Sequence, residues 1–113
     1  MSDECIFCKI VRGEIPAKVV AQNDQALAFV DLSPQAPTHL LVIPKKHLAQ
    51  VDRAGAEDQE LLGAVVLLAN QVAKEQGLED YRLVINNGET AGQTVFHLHL
   101  HLLGGRNFNW PPG

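Results

Sequence analysis

Apolar positions recur along the chain with two different periods, and together these periods predict two helices and five strands. Between residues 56 and 76, apolar side chains recur at Leu61, Val65, Leu68 and Val72, which is the spacing of an amphipathic helix, and Gly77 can end it. Short apolar runs bounded by turn residues predict strands at 17–22, 26–32, 38–45, 81–88 and 94–105. Short strands joined by tight turns favour an antiparallel sheet with the long helix packed on one face, which is an α+β fold.

The first 14 residues predict a short helix that carries a Cys-x-x-Cys pair. Ser2 or Asp3 can cap this helix, and Gly13 can end it. Cys5 and Cys8 stand three residues apart, so both thiols face the same way on a helix. This spacing is compatible with a redox pair, half of a metal site or coincidence, although the order of elements is not the βαβ pattern of a thioredoxin-type protein.

The strand predicted at 94–105 carries three histidines at alternate positions, in the run VFHLHLHLLGG. Side chains alternate faces along a strand, so His97, His99 and His101 share one face, while Phe96 and the intervening leucines share the other. The histidines could simply form the solvent-exposed face of a strand. Imidazole is, however, also the side chain best suited to nucleophilic, acid–base or metal chemistry near neutral pH. About 13 Å separates the first histidine from the third along an extended strand, so one zinc ion cannot readily bind all three.

Length and charge exclude several classes of function. The chain has 113 residues, enough for one compact domain, and we expect a single domain over 1–113. The net charge is −4 and no basic stripe is visible, which argues against binding to nucleic acid but not against a small phosphorylated ligand. The N-terminal apolar run is too short for a signal peptide, and no apolar stretch is long enough for a membrane span. We therefore expect a cytoplasmic protein with reduced cysteines.

The run HLHLHLL at 97–103 resembles the signature of the histidine triad (HIT) superfamily, in which three histidines alternate with apolar residues. The likeness covers almost the whole chain in order. The segments DLSPQAPTH (31–39), AGQTVFH (91–97) and WPPG (110–113) are similar to the branch of histidine triad nucleotide-binding proteins (HINT). The resemblance implies a HIT-like fold whose antiparallel sheet of about five strands continues across a homodimer. It also implies a hydrolase that cleaves the P–N bond of purine nucleoside 5′-phosphoramidates and releases AMP or GMP and an amine.

Two other functions remain alternatives within this resemblance. One is a dinucleoside polyphosphate hydrolase, and the other is a non-catalytic, zinc-stabilised protein that binds nucleotides or regulatory partners. A nucleotidyl transferase is disfavoured, because those relatives replace the third triad histidine with glutamine and His101 is intact.

The resemblance also implies roles for individual residues. His99 would attack the α-phosphorus and form a nucleotidyl-histidine that water hydrolyses, and His101 would hold the phosphate, with no cofactor needed for this chemistry. His39 lies where the family keeps a fourth active-site histidine, and Thr94 keeps the hydroxyl of the usual serine, which can serve the leaving amine. The implied nucleotide-binding positions are Ile6, Phe7, Ile10, Phe29 and Leu32 for the base, Asp31 for the ribose, Asn86, Gly92, Gln93, Thr94, His99 and His101 for the phosphate or ribose side, and Trp110 for a C-terminal segment that reaches the site of a dimer partner.

A structural zinc site is implied by the same resemblance. Some bacterial HIT proteins bind zinc through a Cys-x-x-Cys near the N-terminus, a histidine outside the triad and the first triad histidine. In this sequence those ligands are Cys5, Cys8, His47 and His97. Such a site would tie the first helix to the sheet and leave His99 available for chemistry. The alternative is that the two thiols pack as small apolar side chains without a metal.

Overall fold

The computed structural model describes residues 5–113, which contain two α-helices and one five-stranded antiparallel sheet. The helices are α1 (Ile6–Val11) and α2 (Gln59–Glu75), and the strands are β1 (Val19–Gln22), β2 (Ala26–Val30), β3 (Thr38–Pro44), β4 (Tyr81–Ile85) and β5 (Leu100–Gly104). The strands lie in the order β1-β2-β3-β5-β4, and every neighbouring pair is antiparallel. The predicted α+β fold is confirmed. Within residues 5–113, no helix is long and apolar enough to cross a membrane.

The long helix α2 covers one face of the sheet, and a 3₁₀ turn at Ala56–Asp58 leads into it. Its side chains Val65, Leu68 and Val72 are buried at the helical spacing that the sequence predicts. They pack against small and branched residues of three strands, namely Ala26, Ala28, Leu40, Val42, Leu100 and Leu102. Because side chains alternate along a strand, the residues between these positions point to the opposite face.

The opposite face of the sheet carries α1. Phe7 and Ile10 of this helix are buried in a second apolar cluster with strand residues Leu27, Phe29, Leu41 and Ile43. His101 pairs with Leu41 across the β3–β5 ladder, so it shares this face, whereas Leu100 and Leu102 point towards α2. The predicted separation of His101 from the neighbouring leucines is therefore confirmed.

Strand β5 begins at Leu100 rather than at residue 94, so only one of the three triad histidines lies on a regular strand. Leu100 is the first residue that pairs with both neighbouring strands, β3 and β4. On one side β4 has already ended at Ile85, and on the other β3 ends at Pro44, whose nitrogen carries no hydrogen for a ladder. The prediction of one strand over 94–105 is therefore wrong in its first half, because β4 has ended there and the last residues of β3, Ile43 and Pro44, pair only with β2.

The residues just ahead of β5 form an irregular segment with its own contacts. The N–H of Leu98 donates to the carbonyl of Leu48 at 2.6 Å, and both leucines pack with Leu61 in a small third cluster. Phe96, which the sequence places among the buried leucines, is 43% exposed. The prediction for Phe96 is wrong because strict alternation of faces holds only where the strand is regular.

The N-terminal helix is capped by its first cysteine. The Sγ atom of Cys5 accepts the N–H of Cys8 at 3.4 Å, which satisfies one of the unpaired donors of the first turn. The predicted caps Ser2 and Asp3 lie outside the described residues. Gly13 follows the helix with a φ of +74°, the left-handed conformation that favours glycine at a helix end, as the sequence predicts.

Candidate active site

A pocket of about 460 Å³ opens on the face of the sheet that carries α1. Small-molecule sites span about 300–1,000 Å³, so the pocket is large enough for a ligand of nucleotide size. Most side chains around it are apolar, and one carboxylate and three imidazoles interrupt them. The predicted site residues that line it are Ile6, Phe7, Ile10, Phe29, Asp31, Leu32, His39, Thr94, His99 and His101. Such a wall suits a ligand that combines a flat apolar ring with a charged group.

His99 is held by the main chain at one nitrogen and leaves the other for the pocket. Its Nδ1 lies 2.8 Å from the carbonyl oxygen of His97, so Nδ1 carries the hydrogen and donates. The ring packs edge-to-face against Phe7, with 5.2 Å between the centroids. Within residues 5–113 its Nε2 atom has no hydrogen-bond partner, and the side chain lines the pocket. In its neutral form, His99 therefore presents an unprotonated nitrogen to a ligand.

His101 lies beside a fourth histidine and a carboxylate. The Nδ1 of His101 is 2.9 Å from the Nε2 of His39, and Oδ2 of Asp31 is 3.4 Å from the same His39 nitrogen. The main-chain N–H of Gln35 donates to Nδ1 of His39 at 3.0 Å, and the N–H of Ser33 donates to Oδ1 of Asp31 at 2.7 Å. One nitrogen or oxygen atom from each of Asp31, His39 and His101 lies within 4.8 Å of the other two. We call these three residues the pocket cluster.

Burial keeps both histidines of the pocket cluster neutral near pH 7. It lowers the pKa of His101 to about 4, an effect that repulsion from His99 and His39 reinforces and the carboxylate of Asp31 opposes. Burial also lowers the pKa of His39, again against the opposing effect of Asp31. Because each ring is neutral, its hydrogen bonds depend on which of the two nitrogens carries the single hydrogen.

A second group of side chains, which we call the thiol cluster, joins α1 to the segment ahead of β5. It consists of Cys5, Cys8, His47 and His97, whose Sγ and Nδ1 atoms all lie within 4.8 Å of one another. The Nδ1 of His97 is 3.3 Å from Cys5 Sγ, 3.5 Å from Cys8 Sγ and 3.1 Å from His47 Nδ1, and Cys8 Sγ is 3.3 Å from His47 Nδ1. Ligand atoms around a tetrahedral zinc ion stand roughly 3.3–3.8 Å apart. The thiol cluster can therefore bind a metal ion.

The orientation of the His97 ring is fixed by the main chain. Its Nε2 lies 2.8 Å from the carbonyl oxygen of Pro44, so Nε2 donates and Nδ1 keeps its lone pair for the thiol cluster. Burial lowers the pKa of His97 to about 4, and the hydrogen bond to Pro44 opposes this shift. A neutral imidazole with an oriented lone pair is the form in which histidine binds metals.

Four of the predicted nucleotide-binding residues do not line the pocket, namely Asn86, Gly92, Gln93 and Trp110. Of these, Gln93 is 1% exposed and fully engaged within the protein. Its side chain accepts the N–H of Gly88 and donates to the carbonyls of Ala49 and Val95. Gln93 therefore joins the loop after β3 to the loop ahead of β5, and so positions the residues on either side of it.

The other three lie near the surface. Gly92 has a φ of +103°, and the amide of Asn86 packs close enough that a Cβ on Gly92 would lie 3.5 Å from its nitrogen. Both residues therefore shape the loop that leads to Thr94. Trp110 is 84% exposed, and its predicted role depends on a partner chain.

The sequence interpretation missed several residues that contribute to the site, among them Lys18, Gln35 and Pro44. Lys18 and Gln35 line the pocket, and the carbonyl of Pro44 orients a ligand of the thiol cluster. Lys18 falls within the strand predicted at 17–22 and lies just ahead of β1 in the structure, and a polar residue at such a position carries no signal of a site. Gln35 and Pro44 act through main-chain groups, which their residue types do not reveal. The one available signal is the turn SPQAP, which places Gln35 four residues before His39.

Comparison with known proteins gives a consistent set of relatives. The family model of the HIT domain matches residues 12–108. An uncharacterized HIT-like protein from Synechocystis sp. is 58% identical over 114 residues, and the match covers 100% of both chains. The crystal structure of a HIT family hydrolase from Legionella pneumophila is 53% identical, with a TM-score of 0.94, and covers 97% of this chain and 100% of that chain. A histidine triad nucleotide-binding protein from Candida albicans is 31% identical, with a TM-score of 0.83, and covers 96% of this chain and 83% of that chain.

Proposed function

Because the chain belongs to the HIT domain family, we propose that it hydrolyses purine nucleoside 5′-phosphoramidates to AMP or GMP and an amine. The observation that carries the proposal is the setting of His99, whose Nδ1 donates to a main-chain carbonyl and whose Nε2 is left for the pocket. Similarity to a HIT family hydrolase supports hydrolysis as the reaction class. Similarity to a histidine triad nucleotide-binding protein supports a nucleotide as the ligand.

In this proposal the base lies against the apolar wall of the pocket, between Ile6, Phe7, Ile10, Phe29 and Leu32. Leu32 is 98% exposed and lines the pocket, so a bound base would cover an apolar side chain that otherwise faces water. The carboxylate of Asp31 accepts hydrogen bonds from the ribose hydroxyls, and these bonds are charge-assisted. The phosphate then lies at the histidines, beside the loop of Asn86, Gly92, Gln93 and Thr94.

The proposed reaction has two steps on His99. In the first step, the Nε2 lone pair attacks the α-phosphorus, a P–N bond to the ring forms, and the bond to the substrate amine breaks. The departing nitrogen takes a proton, for which the hydroxyl of Thr94 is the proposed donor. In the second step, water attacks the phosphorus, releases the nucleotide from His99 and gives up a proton that restores the one used in the first step. His101 stabilises negative charge on the phosphate in both steps.

Zinc is the proposed occupant of the thiol cluster. Two thiolates and two imidazole nitrogens are a donor set that zinc prefers, and the separations between these atoms suit tetrahedral coordination. When bound, the ion is structural, because it ties α1, and with it Phe7, to the segment that carries His99. The reduced thiols that it needs support a cytoplasmic location.

We expect about one equivalent of zinc per chain in protein purified without a histidine tag. Less than about a tenth of an equivalent in reducing buffer would contradict the assignment.

We also propose that two chains associate along β4. This strand is at the edge of the sheet, and Tyr81 at its start donates to the side chain of Asn70 on α2. Val66 and Leu67 lie one turn before Asn70 on the same side of the helix, and both are exposed. An open strand edge next to exposed apolar side chains supports an interface. We expect a solution mass of twice 12.3 kDa, and a monomer at micromolar concentration would contradict this part of the proposal.

The experiment that tests the function is a substrate panel on wild type and His99→Ala. AMP and GMP phosphoramidates and their lysine conjugates are compared with dinucleoside polyphosphates, and release of the mononucleotide is measured. We expect the phosphoramidates to be the better substrates and His99→Ala to lose at least about 10³-fold in kcat, because it lacks the nucleophile. Preference for dinucleoside polyphosphates would replace the substrate class. Equal rates for wild type and variant would leave a nucleotide-binding protein without turnover.

A further inference from the structure

A chain of hydrogen bonds runs through the pocket cluster from the main chain to the pocket. We infer that the N–H of Gln35, acting through His39, keeps the hydrogen of His101 on its pocket-facing Nε2. His39 and the Gln35 N–H are then positioning groups, and His101 is the group that meets the ligand. The inference rests on the proposed function for its effect on catalysis, but the placement of the hydrogen is a property of the ligand-free protein.

The main chain decides which nitrogen of His39 carries the hydrogen. A backbone N–H can only donate, so Nδ1 of His39, 3.0 Å from the Gln35 nitrogen, accepts through its lone pair. A neutral imidazole has one hydrogen, which in His39 is therefore on Nε2. A hydrogen on Nδ1 would set two N–H groups against each other, and burial already lowers the pKa of His39. His39 is thus a neutral ring that donates from Nε2.

His39 in turn decides the state of His101. The nearest acceptor for its Nε2–H is Nδ1 of His101 at 2.9 Å, whereas Oδ2 of Asp31 is farther away at 3.4 Å. Because Nδ1 of His101 accepts, the hydrogen of the neutral His101 ring is on Nε2. Among residues 5–113, no protein group bonds to this Nε2, and His101 lines the pocket. His101 therefore presents an N–H donor to whatever occupies the pocket.

Two histidines of the triad thereby acquire opposite properties. Nδ1 of His99 meets a carbonyl, which leaves its Nε2 unprotonated, and Nδ1 of His101 meets a donor, which leaves its Nε2 protonated. Their ring centroids are 5.0 Å apart, so a nucleophile and a hydrogen-bond donor face the same ligand group. A protonated Nε2 on His101 attracts a phosphate oxygen, whereas an unprotonated one would repel it.

A metal ion is the alternative occupant of the pocket cluster, and the same hydrogen bonds argue against it. Ligation through Nε2 of His39 requires a lone pair there, which would move the hydrogen to Nδ1, opposite the Gln35 N–H. In the thiol cluster, Nε2 of His97 faces the Pro44 carbonyl, which leaves the lone pair of Nδ1 available to a metal. The first arrangement suits a chain of hydrogen bonds, and the second suits a metal.

Nitrogen-15 NMR of the imidazole rings measures these states directly, and the sequence has only five histidines to assign. In the wild-type protein without nucleotide, near neutral pH, we expect hydrogen on Nε2 for His39 and His101 and on Nδ1 for His99. Hydrogen on Nδ1 of His39 or of His101 would overturn the inference. This readout does not depend on turnover, so the inference can stand if no phosphoramidate is hydrolysed, and it can fail in an active phosphoramidase.

His39→Gln and His39→Glu form a matched pair, because the two side chains have the same length but differ as donors. A glutamine amide can donate to Nδ1 of His101, whereas a glutamate carboxylate only accepts. We expect Nδ1 of His101 to remain unprotonated in His39→Gln and to gain a hydrogen in His39→Glu. For an AMP phosphoramidate, kcat of His39→Glu should be about 10²-fold below that of His39→Gln. An unprotonated Nδ1 of His101 in the glutamate variant would contradict the inference.

Gln35→Ala is the control for the first hydrogen bond of the series, which the main-chain N–H of Gln35 donates. It removes the Gln35 side chain, which itself donates to the carbonyl of Ser33, but keeps the N–H that bonds His39. The imidazole signals of His39 and His101 should keep the wild-type pattern. Loss of that pattern in Gln35→Ala would assign the effect to the side chain and overturn the role of the N–H. The wild-type and Gln35→Ala spectra also need no change at buried His39, so they test the inference if the His39 variants do not fold.

Discussion

The thiol cluster and the pocket cluster hold the same residue type in opposite hydrogen-bonding arrangements. Each contains two histidines and further side chains whose donor atoms lie within 4.8 Å of one another. In the thiol cluster, Nε2 of His97 donates to the Pro44 carbonyl. In the pocket cluster, Nδ1 of His39 accepts from the Gln35 N–H. Proximity of histidines therefore does not define their function, because the main-chain group behind each ring sets which nitrogen keeps a lone pair.

The largest expected effect separates the two clusters through the metal. Cys8→Ser keeps the size of the side chain but replaces a thiolate with a hydroxyl, which is a poor zinc ligand. With free zinc at about 100–1,000 times its dissociation constant, binding adds roughly 3–4 kcal/mol to the free energy of unfolding, and the variant should lose this increment. Urea unfolding with and without a chelator measures it, and wild type in chelator is the matched control. A wild-type protein whose stability is unchanged by the chelator would contradict a metal-binding role for the thiol cluster.

The next effect tests the pocket cluster in turnover. His101→Ala removes the proposed donor to the phosphate, so kcat for an AMP phosphoramidate should fall by about 10²-fold. The zinc content should remain that of the wild type, because His101 is not a member of the thiol cluster. Zinc analysis and initial rates on the same preparation check both parts. Loss of zinc with retained turnover would show that the two clusters have been assigned the wrong way round.

The smallest effect concerns stability at acidic pH. The folded protein keeps His101 neutral, with its pKa lowered to about 4, whereas an unfolded chain protonates histidine near pH 6.5. Between these values the unfolded state binds more protons, so the free energy of unfolding should decrease as the pH falls from about 6.5 towards 4. In chelator, where zinc loss does not contribute, His101→Gln should show a smaller decrease than wild type. Identical pH dependence in the two proteins would mean that His101 is not neutralised by burial.

The fold was largely predictable because its helices and strands have strong apolar periods. The stripe at Leu61, Val65, Leu68 and Val72 identified α2, and alternation identified β5 where the strand is regular. The start of β5 was not predictable from its own residues. It depends on where pairing with β3 and β4 stops, so the local alternation in the segment ahead of Leu100 was misleading.

The sequence was sufficient to predict which side chains come together in the two clusters, but not which ring nitrogens carry the hydrogens. The pocket and thiol clusters bring together side chains that the sequence singled out, from Cys5 to His101. Gln93 shows what the sequence leaves out, since a polar residue in a glycine-containing loop is buried and bonds its own loop to the loop after β3. The groups that orient the rings are the N–H of Gln35 and the carbonyl of Pro44, and main-chain groups are common to every residue type.

His99 is the proposed nucleophile, and the covalent intermediate on its ring is the direct test of that role. Wild type and His99→Ala are mixed with an AMP phosphoramidate, quenched in alkaline denaturant within the first turnover and digested for mass spectrometry. A phosphorus–imidazole bond is labile in acid and survives alkali, so an adduct formed in the first step is retained. We expect one added AMP on the peptide that contains His99 in wild type and none in the variant. An adduct on His101, or turnover by His99→Ala at the wild-type rate, would contradict it.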